Sequence, residues 1–235
     1  MKLLNQGNSK TVKGEKFGFR TFGLHLSPAD KSGFNVCKWA SKGCKAACLD
    51  TAGRGAMSNV QKARANKTLL FFKDREKFMC ELVKEIKSAI KSAEKKGLIP
   101  CFRLNLTSDL PWESIKHEGQ TVLDMFPEVQ FYDYTKGFDR MMKSLQDSSW
   151  PKNYHLTFSR SEVSKDDTLK HVLSFGGNVA VVFRGSLPSH YLGAKVVDGD
   201  ESDLRFKDDS GKIVGLVEKG LAKKDSSGFV VEGQA

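Results

Sequence analysis

No stretch of this chain approaches the roughly 18 apolar residues that a membrane-spanning helix needs. The opening "MKLLNQGNSK" turns polar after two leucines, so no cleaved leader is expected either. A cytoplasmic setting with no membrane partner is expected. Also missing are a phosphate-binding glycine loop ending in G-K-[ST], an H-E-x-x-H helix and a G-x-S-x-G elbow. Their absence removes the commonest nucleotidase, metalloprotease and serine-hydrolase chemistries. The five histidines, at 25, 117, 155, 171 and 190, are scattered singly. Each reads as a surface or core side chain before it reads as a base, although His25 and His190 lie in segments that could reach a pocket. No tandem repeat, low-complexity segment or linker divides the 235 residues, so a single domain spanning 1–235 is expected.

Cysteine is scarce and odd in number, and three of the five stand within twelve residues, "CKWASKGCKAAC". In a reducing compartment such a set reads as metal binding, catalysis or core filling before it reads as a disulfide framework. Cys37, Cys44 and Cys48 have the spacing C-x6-C-x3-C. Structural zinc usually takes its thiolates in C-x2-C pairs and closes four ligands, so zinc would need Cys101 or His25 to complete a tetrahedron. Three thiolates with the fourth corner unassigned suit a [4Fe-4S] cube whose fourth iron is left for a small-molecule ligand or a more distant residue. Gly43 relieves crowding before Cys44, and Lys38, Lys42 and Lys45 offset the cluster's negative charge. Cys80 falls about 130° from the centre of its helix's apolar stripe at 100° per residue, which makes it a surface or secondary-interface position and not a natural ligand. Cys101 reads as a small core hydrophobe.

Apolar residues make up 39% of the chain, enough for a proper core. The pattern predicts a glycine-rich N-terminal hairpin in "KFGFRTFGLHL", then a helix from about Ser58. A second helix follows Asp74 as N-cap, with Phe78, Leu82, Ile86, Ala89, Ile90 and Ala93 on one face and Gly97 as stop. Beyond it, "IPCFRLNLTS", "VQFYDYTK", "NYHLTFSRS" and "NVAVVFRG" read as short strands separated by helical stretches, the mark of parallel βαβ units. The expected fold class is α/β: a TIM-like or partial (β/α) barrel with additional N- and C-terminal hairpin strands. The C-terminal strands, from about 190, would be joined by the turns "DDSG" and "DSSG". In such a barrel the working residues lie at the C-terminal strand ends. These are Asn105, Ser108 and Asp109, then Asp133, Tyr134 and Lys136, then Ser159 and Arg160, then Arg184. Asn105, Asp109, Asp133, Lys136 and Arg160 are the leading rim candidates. Asp198, Asp200 and Asp203 fall short of a calcium loop and read as turn acids.

Gly53 and Gly55 in "AGRG" could let a ligand approach the backbone, or simply turn the chain into the following helix. The net charge of +10 favours a polyanion, and "QKARANK", with Lys62, Arg64 and Lys67, is the densest basic stretch for contact with nucleic acid.

The loop "CKWASKGCKAACL", with "AGRG", a helix and "RLNLTSDLPW" after it, and the late "DGDESDLRF…GKIVGLVEKG", resemble bacteriophage proteins of the gene product 88 type. These are similar to phage families with a C-x6-C-x2-C-Y loop and, remotely, to radical-SAM enzymes. The resemblance implies a TIM-like or partial barrel with an iron–sulfur cluster near its C-terminal strand ends, held by Cys37, Cys44 and Cys48. It also implies radical-SAM-like or other redox chemistry, with SAM chelating the open iron. Radical-SAM enzymes use C-x3-C-x2-C with an aromatic before the last cysteine, whereas this loop is longer and has Ala47 there.

Overall fold

The computed structural model of the chain describes residues 1–6 and 11–233. In chain order its first half runs β1 (Leu4–Gln6), β2 (Phe19–Leu24), α1 (Lys42–Ala46), α2 (Ser58–Lys73), α3 (Arg75–Glu94), β3 (Ile99–Arg103), β4 (Lys116–His117), β5 (Gln120–Thr121) and α4 (Val122–Met125). It continues through β6 (Gln130–Thr135), α5 (Phe138–Gln146), β7 (Tyr154–Ser159), α6 (Asp166–Ser174) and β8 (Val179–Arg184). The last strands are β9 (His190–Tyr191), β10 (Ala194–Asp198), β11 (Ile213–Val217) and β12 (Val230–Glu232). Two compact units emerge. One comprises Met1–Lys38, Ser58–Asp133 and Ser149–His155; the other comprises Trp39–Met57, Tyr134–Ser148 and Leu156–Ala235.

In the first unit β1 is antiparallel to β2, β2 is parallel to β3, and β3 is parallel to the start of β6. Phe22, Phe102 and Phe131 occupy successive strands with ring centroids 5.4 Å apart, a stacked row across the sheet. Asp74 caps α3 by accepting the Lys77 N–H, and Gly97 ends the segment at φ +66. Phe78, Leu82, Ile86, Ala89 and Ala93 are buried on one face as the spacing predicts, joined by Met79. The face of α2 is different. It buries Arg64, Lys67, Thr68 and Phe71, a helical stripe written mostly in polar residues. Phe17 does not join the N-terminal strand pair: it is exposed in a 3-10 segment, and the strand starts after Gly18 turns at φ +80.

In the second unit β7, β8, β11 and β10 are successive parallel neighbours, with β9 antiparallel at the edge beyond β10. β8 is central and nearly all apolar, as expected of a strand covered on both faces. Amphipathic α5 and α6 bury Met141, Met142, Leu169 and Val172. The four sequence-expected strands therefore exist, and the architecture is mixed α/β. The C-terminal expectation needs correction, because β10 and β11 pair in parallel, Val196 opposite Ile213, and β12 pairs in parallel with β8. Residues 199–212 are long enough for a crossover, which a tight hairpin turn would not permit. Among the described C-terminal strands, the hairpin is that of β9 and β10, turning at Leu192 and Gly193 with φ +52 and +83.

Candidate metal centre

Cys37 belongs to the first unit, Cys44 and Cys48 to the second. Cys37 lies where chain segments leave the C-terminal ends of β2 and β3. Its Sγ accepts the Ala29 N–H at 3.3 Å and lies 3.8 Å from the Thr107 carbonyl. The two segments are tied around it: Asp109 N–H donates to the Val36 carbonyl at 2.8 Å and Thr107 Oγ1 to the Leu26 carbonyl at 2.6 Å. Close by in sequence, His25 has its pKa lowered to about 3. Burial is the main cause, followed by the charges of Arg64, Lys67 and Arg103. The imidazole is thus neutral at pH 7, and two members of the basic stretch, Arg64 and Lys67, turn inward instead of facing a nucleic acid. Burial also lowers Lys67 to about 8, while its Nζ donates to the Leu3 carbonyl.

Asn105 and Asp133 are brought together as rim candidates, and both hold backbone. Asn105 N–H donates to Asp133 Oδ1 at 2.8 Å, and Tyr154 Oη donates to Oδ2 at 3.0 Å. Asn105 Oδ1 accepts from Ser108 Oγ, the Leu110 N–H and Trp112 Nε1, which organises the turn "NLTSDLPW". Cys101 is fully buried in β3 with its Sγ 3.2 Å from Thr21 Oγ1, the core placement expected of it.

In the second unit the cysteine loop begins with Trp39, whose ring packs against Gly137. A Cβ at Gly137 would stand 2.8 Å from the indole. Ser41 caps the short α1 by accepting the Cys44 N–H. Glu162, just past β7, holds this turn: Ser41 Oγ donates to Oε2 and Gly43 N–H to Oε1, each at 2.6 Å. Burial works against ionising Glu162, but those hydrogen bonds and the Lys136 charge outweigh it and keep the carboxyl below its ordinary range. Gly43 permits this close approach, since a Cβ there would meet Ser227 Oγ and stand 2.7 Å from Glu162 Cδ, so those side chains would have to shift. Ala47, between the two thiols, is buried with Ala222 and Val230 against Val182 and Phe229.

Burial pushes the Cys48 thiol up to about 12; the Asp50 main-chain N–H opposes this, and the Asp50 carboxylate and Cys44 add to it. The rim candidates Lys136 and Arg160 also meet here. Lys136 Nζ donates to Ser159 Oγ at 2.8 Å and the Arg160 carbonyl at 2.9 Å, and Arg160 donates to the carbonyls of Gly228 and Phe229. Arg184 clasps Glu232 and the Lys223 and Asp225 carbonyls. Gly53 sits at φ +52 and Gly55 is buried in the 3-10 turn Gly53–Ala56 that leads to α2.

Both parts of the loop therefore stand at C-terminal strand ends of their own unit, where parallel α/β folds place their chemistry. None of the five cysteines is in a disulfide, and Cys37, Cys44 and Cys48 are each half-buried. An open groove of about 420 Å³ beside α2 and α3, lined by Met1, Leu69, Leu70 and Lys73, gathers none of these residues. Sequence reasoning missed Glu162, which is separated from Ser41 by 121 positions and carries no local motif. It also missed the grouping of Glu76, Cys80 and His117 in the first unit.

Fold and site define an α/β protein with a thiol-bearing loop at its strand ends. The chain belongs to the gene product 88 family, whose model matches residues 2–233, and is thereby a phage-type protein. No curated protein and no solved structure matches it. No helix among the described residues is long and apolar enough to cross a membrane.

Proposed function

We propose that the chain is an iron–sulfur protein that binds one [4Fe-4S] cluster through Cys37, Cys44 and Cys48 and leaves the fourth iron to an exogenous small molecule. The observation that carries this reading is the surroundings of the sulfurs. Three half-buried reduced thiols come from one short segment, and main-chain N–H groups already donate to two of them, from Ala29 to Cys37 and from Asp50 to Cys48. Hydrogen bonds of that kind are what a thiolate-bound cluster uses to spread its negative charge and set its potential. The donor set fits the group, and a bound metal strips the proton from a thiol as reluctant as Cys48. When bound, the cluster supplies one-electron transfer and a coordination position.

Around it this chain's own residues hold the loop still. Glu162 clamps Ser41 and Gly43, Trp39 covers one side of its segment, and Ala47 anchors the stretch between the two later cysteines. We read the parallel strands as a partial (β/α) barrel, and a redox enzyme as the class of activity, with SAM one ligand whose amino and carboxylate groups suit an open iron. Reduced protein should give an EPR signal that shifts when an iron ligand is added. A cluster signal unchanged by SAM removes SAM as the ligand, and the lack of any cluster signal removes the proposal.

A further inference from the structure

We propose that Glu76, Cys80 and His117 form a second, independent metal site, taking a single divalent ion of the zinc class with an open coordination position. Glu76 and Cys80 are four residues apart on one face of α3, so a turn of helix fixes their spacing. His117 arrives from the β4–β5 hairpin, where it pairs with Gln120 across a two-residue turn, Glu118 and Gly119, both at positive φ. The ligand atoms of the three side chains lie within 4.8 Å of one another. Cys80 Sγ is 3.7 Å from Glu76 Oε1 and 3.8 Å from His117 Nε2, and His117 Nδ1 is 3.3 Å from Glu76 Oε2. Tetrahedral zinc, at ~2.3 Å from sulfur and ~2.0–2.2 Å from nitrogen or oxygen, holds such pairs roughly 3.4–3.6 Å apart. The Cys80 and Glu76 contacts fall on different ring nitrogens and one ion takes only one of them, so coordination requires the exposed Glu76 and Cys80 side chains to turn toward the same nitrogen, Nδ1.

The second observation is the state of the histidine. His117 is 7% exposed, and its buried Nδ1 has no hydrogen-bond partner among the described residues, although it points toward Glu76. A buried polar nitrogen without a hydrogen bond costs free energy, and an ion at this mouth would fix the ring's tautomer and satisfy the cluster together. Glu76 and Cys80 are exposed, so an ion can enter from solvent and the fourth position stays open. The donor set decides the metal: thiolate, imidazole and one carboxylate suit zinc or cobalt(II), while calcium and magnesium require more oxygen ligands.

The experiment is a cobalt(II) titration of metal-stripped, reduced full-length protein, followed by the thiolate-to-metal absorption. It compares the chain carrying Cys37→Ser, Cys44→Ser and Cys48→Ser with the same chain carrying Cys80→Ser as well. One equivalent bound by the first and lost in the second is the expected result, and Glu76→Gln should weaken binding by roughly tenfold or more. Should the triple variant not fold, the unsubstituted chain serves. Zinc should slow alkylation of Cys80, located by peptide mass spectrometry, about tenfold, and His117→Gln should abolish the protection. Equal cobalt binding with and without Cys80, or alkylation of Cys80 indifferent to zinc, overturns the site. Both readouts are taken at Cys80 and stand whether or not the loop holds a cluster.

Discussion

Two groups of side chains proposed as metal ligands in this chain are assembled in opposite ways. Cys37, Cys44 and Cys48 are neighbours in sequence, and each part of their loop is held within its own unit: Ala29 and Thr107 hold Cys37 in the first, while Glu162, Gly43 and Ala47 hold the turn of Cys44 and Cys48 in the second. Glu76, Cys80 and His117 are rigid from the start, on a helix and in a tight hairpin, and the work of the fold is to bring His117 to Cys80 across 37 positions. A loop site must invest in second-layer hydrogen bonds, whereas a site on regular elements inherits its precision from backbone geometry. The loop should therefore be vulnerable at residues that touch no metal, and the helix–hairpin site only at its ligands.

The most damaging change short of removing a thiol should be Glu162→Ala. It deletes two charge-assisted hydrogen bonds at 2.6 Å, a loss on the order of 2 kcal/mol in loop order. Iron retained after gel filtration should fall severalfold while cobalt binding at Cys80 is unchanged; equal loss at both would break the comparison. Next comes Gly43→Ala, whose methyl meets Ser227 and Glu162 and should cost about 1–3 kcal/mol of overpacking in thermal melts. The expected result is again a defect of the loop alone.

Acid should then act on the first unit through His25. Its pKa is about 3 in the folded protein against 6.5 for an unperturbed histidine, so the unfolded chain binds the extra proton between these values. The stabilisation is fully present above pH 6.5 and is lost on acidification toward pH 3. Lys67, at about 8 against 10.5, likewise makes stability rise with pH across that higher window. Urea melts from pH 7 to 4 should show the acid slope, and His25→Gln should flatten it. The smallest effect belongs to Cys80→Ser, an exposed substitution expected to move stability by no more than about 0.5 kcal/mol and to leave iron content unchanged.

The helices and the four parallel strands were legible in the sequence because each is a local pattern: the stripe of α3, the Asp74 cap, the apolar run of β8. The cysteine loop was legible for the same reason, as a spacing. What escaped depends on distant chain. Arg64, Lys67 and Thr68 occupy the inward stripe of α2, so a pattern search for apolar residues passes over a buried face and counts its charges as surface. The parallel pairing of β10 with β11 could not be told from a hairpin until the intervening crossover was seen. Cys80 was correctly read as exposed. Its neighbourhood was not, since His117 reaches it through a turn whose positive φ at Glu118 no residue preference announces.

Iron in the cysteine loop is the central claim, and its most direct measurement is iron, sulfide and zinc analysis of anaerobically purified protein beside a Cys44→Ala variant. Brown protein with about four irons and four sulfides per chain, absent from the variant, is the predicted result. Colourless protein, or zinc at the loop without iron, would contradict it.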